Sequence, residues 1–444
     1  MTKKQLLADR QALLDEIAAL QAQNLALRLG EASSSAIAVP DSPAEDEARI
    51  TASGVFSRFP LLRAIDEEYS DSALPDAAAA APITLSKVAE HLRRYAAAHF
   101  GIYAGRALFA HFLGAMAVAD FILLRSEIRE AAGSALLRSE GREAAGSALL
   151  RSENAEEELP GGSANPLLFC RAVAAALGRD LDITRVQPHW SRSSDLLGEA
   201  GQGWQYHETD FLRALYAAGW QEAPCFAVLD NIAAANPDGY LRALVPVLSL
   251  RRGAARSLSL VGAAWPGDPV LLREGALPWP ENLWLFGTVS QGAPTPNHLR
   301  ASAMEFCLPA KAGRPAPIAL AAPLDLPAQQ LRGLFVQAEG VYALPEEPLR
   351  LAALLEEYLA EHMELSLGAQ TGAQLRRFCG VCLACGLKAN DALDGYFYHK
   401  ALRRLEDADP DTVKYELPGL RRFIKDTFGR NGLPLAAGYL QGLG

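Results

Sequence analysis

A long central part of this chain contains no lysine. None falls between Lys87 and Lys311, although arginine is plentiful there. The sequence also has no uninterrupted apolar run of about 18 residues, the length that a membrane span requires. Six cysteines among 444 residues are too few to suggest a disulfide framework. The first residues carry no apolar signal core, so we expect no membrane segment, no export and a cytoplasmic location.

The charge of the chain limits its partners. The net charge of −10 argues against a surface that binds duplex nucleic acid as a whole, because phosphate binding requires clustered lysine and arginine. We therefore expect any contact with nucleic acid to be made only through a complex with other subunits.

Leucine recurs every seven residues near the start of the chain, at Leu6, Leu13, Leu20 and Leu27. Asn24 occupies an alternate position of the same seam, and an asparagine there often fixes register and strand number. The pattern predicts a coiled-coil helix over residues 1–29 that forms an oligomer or docks a protein partner. The alternative is a lone amphipathic helix that packs on its own domain.

The rest of the chain divides into three parts by composition. Residues 30–83 are rich in alanine, serine, proline and acids and are predicted to form a linker. In residues 84–340, short apolar strands alternate with helices, which predicts a parallel α/β sheet flanked by helices. The predicted strands are Phe121–Leu124, Ile183–Val186, Phe226–Leu229, Leu258–Ala263 and Leu283–Thr288. Helical patterns dominate residues 341–444.

A segment of the α/β region is duplicated. The sequence Arg129–Glu140 is repeated at Arg142–Glu153, with a period of 13 residues. Two copies are too few for a solenoid, so a local tandem duplication within an insertion at 125–160 is the simpler interpretation.

Several motifs along residues 100–430 occur in the order and at the spacing of one family. They are Val186–Trp190, Asp195–Gly198, Glu208–Leu215, Phe226–Asp230, Ala264–Pro269 and Trp284–Val289. Together they resemble the McrB-type branch of AAA+ ATPases, which is related to the dynein and MoxR-like branches. The resemblance implies a AAA+ core over residues 84–340 and a helical lid domain over residues 341–444.

The phosphate-binding loop of that family is not preserved here. Such a loop cradles phosphates with a glycine-rich turn, and its lysine reaches the β- and γ-phosphates. The family places it directly after the strand that Phe121–Leu124 resembles, but here that strand leads into Glu127, Glu130 and the duplicated segment. A second remnant, Gly161–Pro166, also has no lysine. The acidic residues would repel a triphosphate.

The other nucleotide-site positions implied by the resemblance are also altered. Asp230 stands where the family holds Mg²⁺, but Asn231 replaces the glutamate that polarises the attacking water. Ser290 stands where the sensor strand normally ends in asparagine. The nucleotide-contacting arginines of the family's helical domain match Gln370 and Gly372.

One catalytic element of the family has a counterpart in this sequence. Arg300 matches a segment from which an arginine finger reaches into the site of a neighbouring subunit. The alternative is an ordinary surface arginine.

Other reactive residue types have simpler interpretations. Cys379, Cys382 and Cys385 have a spacing at which thiolates can hold an iron–sulfur cluster, but their apolar surroundings favour helix packing. His189 and His207 lie in segments for which we favour a structural or partner-contact role over acid–base chemistry.

These observations predict a catalytically inactive AAA+-like scaffold or regulatory subunit of an oligomeric complex. Its partner could be further copies of itself or an active AAA+ subunit. The family resemblance adds a link to bacterial nucleic-acid processing or defence. No cofactor is expected, but ATP or GTP with Mg²⁺ would bind if the site still functioned. Two alternatives stay open: a divergent active NTPase that uses Arg125, Arg129 or Arg138 in place of lysine, and an interaction module that forms no ring.

Overall fold

The computed structural model describes residues 57–71, 83–126, 165–201, 205–250, 255–290, 299, 303–309, 320–365, 371–406 and 408–443. The predicted coiled coil at 1–29, most of the 30–83 linker and the two copies of the repeat lie outside these ranges. Arg300 and Gln370 also lie outside them. The described residues belong to one compact unit that begins at Ser57.

The first half of this unit alternates strands and helices. Its helices are α1 Pro60–Asp71, α2 Leu85–Phe100, α3 Arg106–Val118, α4 Pro166–Ala176, α5 Ser193–Leu197, α6 Asp210–Gly219, α7 Pro237–Tyr240 and α8 Leu244–Ser249. Its strands are β1 Phe121–Ser126, β2 Leu181–Arg185, β3 Glu199–Ala200, β4 Tyr206–His207, β5 Cys225–Asp230, β6 Ser257–Ser259, β7 Ala276–Pro278, β8 Leu283–Val289 and β9 Met304–Leu308.

Helices make up the remainder. They are α9 Ala328–Val341, α10 Glu346–Met363, α11 Thr371–Ala384, α12 Ala389–Tyr396, α13 Pro410–Phe428 and α14 Pro434–Gly442. Between α12 and α13 the chain forms a π-helical turn, Phe397–Ala401, and a 3₁₀ turn, Leu402–Glu406. Within the described residues, no helix is both long enough and apolar enough to cross a membrane.

Five parallel strands form the central sheet, in the order β2-β5-β8-β1-β9. β1, the first strand of the described residues, therefore lies between β8 and β9. The parallel α/β sheet expected from the sequence is confirmed, and the fifth strand, β9, is part of it.

One predicted strand has a different place. Leu258–Ala263 was expected to belong to the parallel series, but only Ser257–Ser259 is extended, and it pairs antiparallel with β7 in a separate hairpin. The chain turns back at Gly275, whose φ is +77° and whose absent side chain leaves room for the carbonyl oxygen of Val261. An apolar run alone does not distinguish a hairpin strand from a strand of the parallel sheet.

Apolar side chains cover the sheet on both of its faces. Successive residues of a strand point to opposite faces, and Ile122 and Leu124 accordingly join one hydrophobic core while Phe121 and Leu123 join another. The first core contains residues of α2–α4 and of the C-terminal helices α9–α14. The second contains residues of α1, α5–α8 and the β6–β7 hairpin.

The C-terminal helices are packed closely against the α/β region. The ring of Phe378 on α11 lies over Gly114 on α3, where an added Cβ would come within 2.8 Å of the ring. Replacing Gly114 by a larger residue would therefore push α11 away from α3.

Candidate functional site

The carboxyl ends of β1, β5 and β8 lie at the same edge of the parallel sheet. In open α/β sheets, ligands bind in the crevice outside these ends. β5 ends at Asp230, Asn231 follows it, and Ser290 directly follows β8. The structure therefore brings three of the residues selected from the sequence to one place.

These residues form a closed hydrogen-bond network. The hydroxyl of Thr288 donates to Oδ1 of Asp230, with 2.7 Å between the oxygens. The same hydroxyl oxygen accepts the backbone N–H of Asn231 at 2.7 Å. Ser290 then donates its hydroxyl to Oδ1 of Asn231 at 2.5 Å. Each polar side chain of the group therefore bonds to another member of it.

The backbone at Asn231 explains why a short polar residue follows β5. Its φ of 58° and ψ of 62° lie in the left-handed region, which asparagine tolerates better than most side-chain-bearing residues. The strand thus ends abruptly, and the Asn231 side chain turns toward Ser290.

The residue that follows Asp230 carries no group that could act as a general base. An asparagine amide cannot take a proton from water at neutral pH, so Asn231 cannot act as a general base. The one carboxylate of the network, Asp230, already has an oxygen committed to Thr288. Within the described ranges, no three His, Cys, Asp or Glu side chains are grouped closely enough to hold a metal ion.

The start of α4 is also a poor phosphate site. The backbone N–H groups of a helix N-terminus bind anions when they are free. Here Pro166 supplies no N–H, and the N–H of Leu168 donates to the side chain of Asn165 at 3.0 Å. The N–H of Phe169 donates to the Asn165 carbonyl. Most donors of the first turn are therefore absent or already used.

Arg125 on β1 is engaged elsewhere. Its guanidinium lies 3.3 Å from Glu305 and 3.0 Å from Glu406, and 15% of its side chain is exposed. It is thus paired with carboxylates of the chain itself rather than presented to a phosphate. Arg129 and Arg138, the other candidates for replacing lysine, lie outside the described residues.

Sequence reasoning missed two members of this region, Thr288 and Glu406. Thr288 gave a usable signal, since it is the single hydroxyl residue in the apolar strand β8. Glu406 gave none, because it is separated from Arg125 by 281 positions.

The remaining candidates are dispersed. His189 and His207 are exposed. All three cysteines of α11 and its C-terminal end are buried, and burial raises the pKa of Cys385 to about 12. The thiols of Cys382 and Cys385 donate to the backbone carbonyls of Ala110 and Leu85, respectively. These contacts are those of packed side chains rather than of a cluster directed at one centre.

No protein-family model and no curated protein matches the sequence. Among solved structures, the chain is similar to a candidate ATPase from Cytophaga hutchinsonii, at 10% sequence identity and a TM-score of 0.46. That match covers 82% of this chain and 96% of the other. What the structure itself establishes is a mixed α/β fold with a five-stranded parallel sheet flanked by helices, and a closed polar network at the carboxyl ends of β5 and β8.

Proposed function

We propose that this chain is a AAA+-like pseudo-ATPase, a catalytically inactive scaffold or regulatory subunit of an oligomeric complex. The observation that carries the proposal is the closed network of Asp230, Thr288, Asn231 and Ser290. In an active NTPase these strand ends would hold Mg²⁺ and activate a water molecule. Here Thr288 donates to Oδ1 of Asp230, and Ser290 donates to Oδ1 of Asn231.

The strand order supports a fold of the NTPase type. Because β1 lies next to β8, and β8 lies next to β5, a segment that follows β1 and a carboxylate that ends β5 approach the same crevice. Two of the six motifs that resemble the McrB-type branch, Phe226–Asp230 and Trp284–Val289, fall on β5 and β8 in this arrangement. The scaffold for nucleotide chemistry is thus retained, while the groups that perform it are replaced.

The lost groups together account for the inactivity that we propose. Removing one group that stabilises developing charge commonly costs about 2.7–4 kcal/mol of the barrier. This chain has neither the lysine after β1 nor the glutamate after Asp230. Even if these losses are not additive, hydrolysis would be negligible. The missing lysine would also have reached the β- and γ-phosphates, so we expect no ATP or GTP cofactor in this subunit.

An inactive subunit would act through assembly. The heptads of residues 1–29 would hold copies of the chain or a protein partner together. Arg300 would act in trans, completing the site of an active neighbour. A role in nucleic-acid processing or defence rests on analogy with the family alone, and contact with nucleic acid would be made through the complex.

A nucleotide titration tests the proposal. We would titrate the purified full chain with fluorescent ATP and GTP analogues in the presence of Mg²⁺ and follow phosphate release in parallel. We expect no saturable binding up to millimolar nucleotide and no release above that of a buffer blank. Micromolar binding that Asp230→Asn weakens would overturn the proposal and favour the divergent NTPase.

The oligomeric part needs a separate measurement. Light scattering after size-exclusion chromatography, over a wide range of protein concentrations, should show an assembly larger than a dimer, alone or with an active AAA+ subunit. A monomer or dimer under every condition would instead favour an interaction module that forms no ring.

A further inference from the structure

A largely buried ionic cluster lies at the end of β1, on the side of the sheet edge formed by β9. Arg125 contacts both Glu305 and Glu406. Glu406 also lies 3.4 Å from Arg403 and accepts a hydrogen bond from the Tyr439 hydroxyl at 3.1 Å. We call these five residues the Arg125 cluster.

Aromatic rings enclose the second arginine of the cluster. The guanidinium of Arg403 lies 4.5 Å from the centroid of Tyr398 and 4.2 Å from that of Tyr439. It also donates to the Tyr398 hydroxyl at 2.6 Å. A cation held between ring faces and a carboxylate has a fixed position, because each contact limits its orientation.

The cluster connects four parts of the chain that are distant in sequence. Arg125 belongs to β1 and Glu305 to β9, whereas Arg403 and Glu406 belong to the 3₁₀ turn after α12, and Tyr439 belongs to α14. Lys400, in the adjoining π-helical turn, makes a second contact near the sheet, because its ammonium donates to the carbonyl of Ala303, the residue before β9, at 2.6 Å.

Because the ion pairs are buried, they favour one arrangement of the segments that they join. Glu305 and Arg403 are 3% and 6% exposed. Removing one partner of a buried ion pair leaves an uncompensated charge, which is strongly unfavourable even where the intact pair adds little net stability. The cluster therefore favours one position of the C-terminal segments over any shifted one.

We propose that the Arg125 cluster is a permanent clamp, which holds residues 397–406 and α14 at the end of β1 without any nucleotide. This inference rests on the proposed function. In an active NTPase the segment after β1 would cradle the phosphates. In this chain the penultimate residue of β1, Arg125, binds carboxylates of the chain itself. The sheet edge and the C-terminal helices are thus joined by side chains and stay joined in every nucleotide condition.

Hydrogen exchange followed by mass spectrometry tests the clamp in the full-length protein. We would compare the wild type, Arg125→Met and Arg213→Met, each with and without 1 mM Mg-ATP. Arg213 is a matched control because it pairs with Asp210 at 3.1 Å on an exposed surface of α6. In Arg125→Met, exchange should accelerate by at least about tenfold in 397–406 and Pro434–Gly442, while α6 stays unchanged. Arg213→Met should match the wild type in all three segments.

Arg125→Lys provides a second test. A lysine keeps a positive charge beside Glu305 and Glu406, so it should retain part of the protection that is lost in Arg125→Met. Unchanged exchange of α14 in Arg125→Met would overturn the clamp. If that variant does not fold, two milder variants replace it: Tyr439→Phe removes one hydrogen bond, and Glu406→Gln removes the charge that Arg125 and Arg403 share. Both must still accelerate exchange of α14, or the clamp is wrong.

Comparing exchange with and without Mg-ATP distinguishes a failure of the clamp from a failure of the proposed function. Exchange of the wild type should be the same with and without Mg-ATP. Protection by Mg-ATP at the ends of β5 and β8 would contradict the inactive site, whatever Arg125→Met does. Loss of protection in Arg125→Met that Mg-ATP reverses would contradict the clamp, since nucleotide would then be able to hold the same segments.

Discussion

The hydroxyl of Thr288 lies 2.7 Å from Oδ1 of Asp230, and this contact closes the end of β5 against β8. A hydroxyl has one proton to donate and lone pairs to accept with. Thr288 gives its proton to Asp230 and accepts the backbone N–H of Asn231. Two adjacent residues at the end of one strand are therefore held by a single side chain on the next.

Thr288→Val should destabilise the protein. Valine keeps the branched shape but removes the hydroxyl, which leaves Asp230 and the N–H of Asn231 without this partner. We expect a loss of about 1–3 kcal/mol in the free energy of unfolding, measured by urea titration with circular dichroism. Ser290→Ala is the control, because Ser290 is exposed and its loss should cost less than about 1 kcal/mol. Equal stabilities for the two variants would contradict a structural role for Thr288.

The parallel sheet could be predicted from the sequence because its strands are buried on both faces. Phe121–Leu124 and Phe226–Leu229 are continuous apolar runs between helical patterns, which is typical of a parallel sheet. Leu258–Ala263 has the same apolar character but belongs to a hairpin. The difference depends on tertiary pairing, which a local pattern does not specify.

The candidate site was predictable only in part. The proximity of Asp230, Asn231 and Ser290 follows from a general property of parallel sheets, whose carboxyl ends share one edge. The pairing of Arg125 with Glu406 could not be predicted, because the contact joins residues 281 positions apart. A single sequence carries no signal for such a pair. The roles assigned to Arg300 and to residues 1–29 stay predictions.

Asp394 should make stability depend on pH. It lies on α12 and accepts the backbone N–H groups of Leu435 and Ala436 at 2.7 and 2.8 Å, so it caps α14. Burial raises its pKa from 3.8 to about 6. Between these values the folded state binds a proton that the unfolded state does not, so this contribution to stability is lost as pH rises. The free energy of unfolding should fall by about 2 kcal/mol between pH 4.5 and 7 because of Asp394.

Urea titrations of Asp394→Asn at both pH values measure this effect. The asparagine cannot ionise, so the variant should gain stability relative to the wild type, by about 2 kcal/mol, as pH rises. Asp411→Asn is the control, since Asp411 is an exposed residue in the first turn of α13. A difference between Asp394→Asn and wild type that stays constant with pH would show that Asp394 does not titrate in this range.

His111 should have the opposite pH dependence. Its Nε2 donates to the carbonyl of Asp391 at 3.0 Å, and burial lowers its pKa from 6.5 to about 4. Between these two pKa values the unfolded state binds a proton at His111 and the folded state does not, so stability is lost as pH falls. Relative to His111→Gln, the wild type should lose about 2 kcal/mol between pH 7 and 5. His99→Gln, which removes an exposed histidine that also contacts a backbone carbonyl, should show no such change.

Glu208 should be required for docking of α1. Its carboxylate accepts the N–H groups of Leu61 and Leu62 at 2.9 and 2.7 Å. Pro60 opens the helix and has no N–H, so these are the first two donors of α1. A carboxylate at this end also interacts favourably with the helix dipole. Glu208→Ala should therefore cost about 2 kcal/mol and expose the bond after Arg63 to trypsin.

The site at which proteolysis first accelerates distinguishes the loss of a helix cap from destabilisation of the whole protein. Other contacts still hold α1, because Asp66 accepts hydrogen bonds from Tyr216 and Trp220. Proteolysis should therefore accelerate within α1 before the rest of the protein becomes sensitive. Glu67→Ala is the matched control, since this exposed glutamate on α1 lies 4.0 Å from Arg63 and its loss should change stability by less than about 0.5 kcal/mol. If Glu208→Ala were cleaved no faster than Glu67→Ala, the packing of α1 rather than its cap would hold it in place.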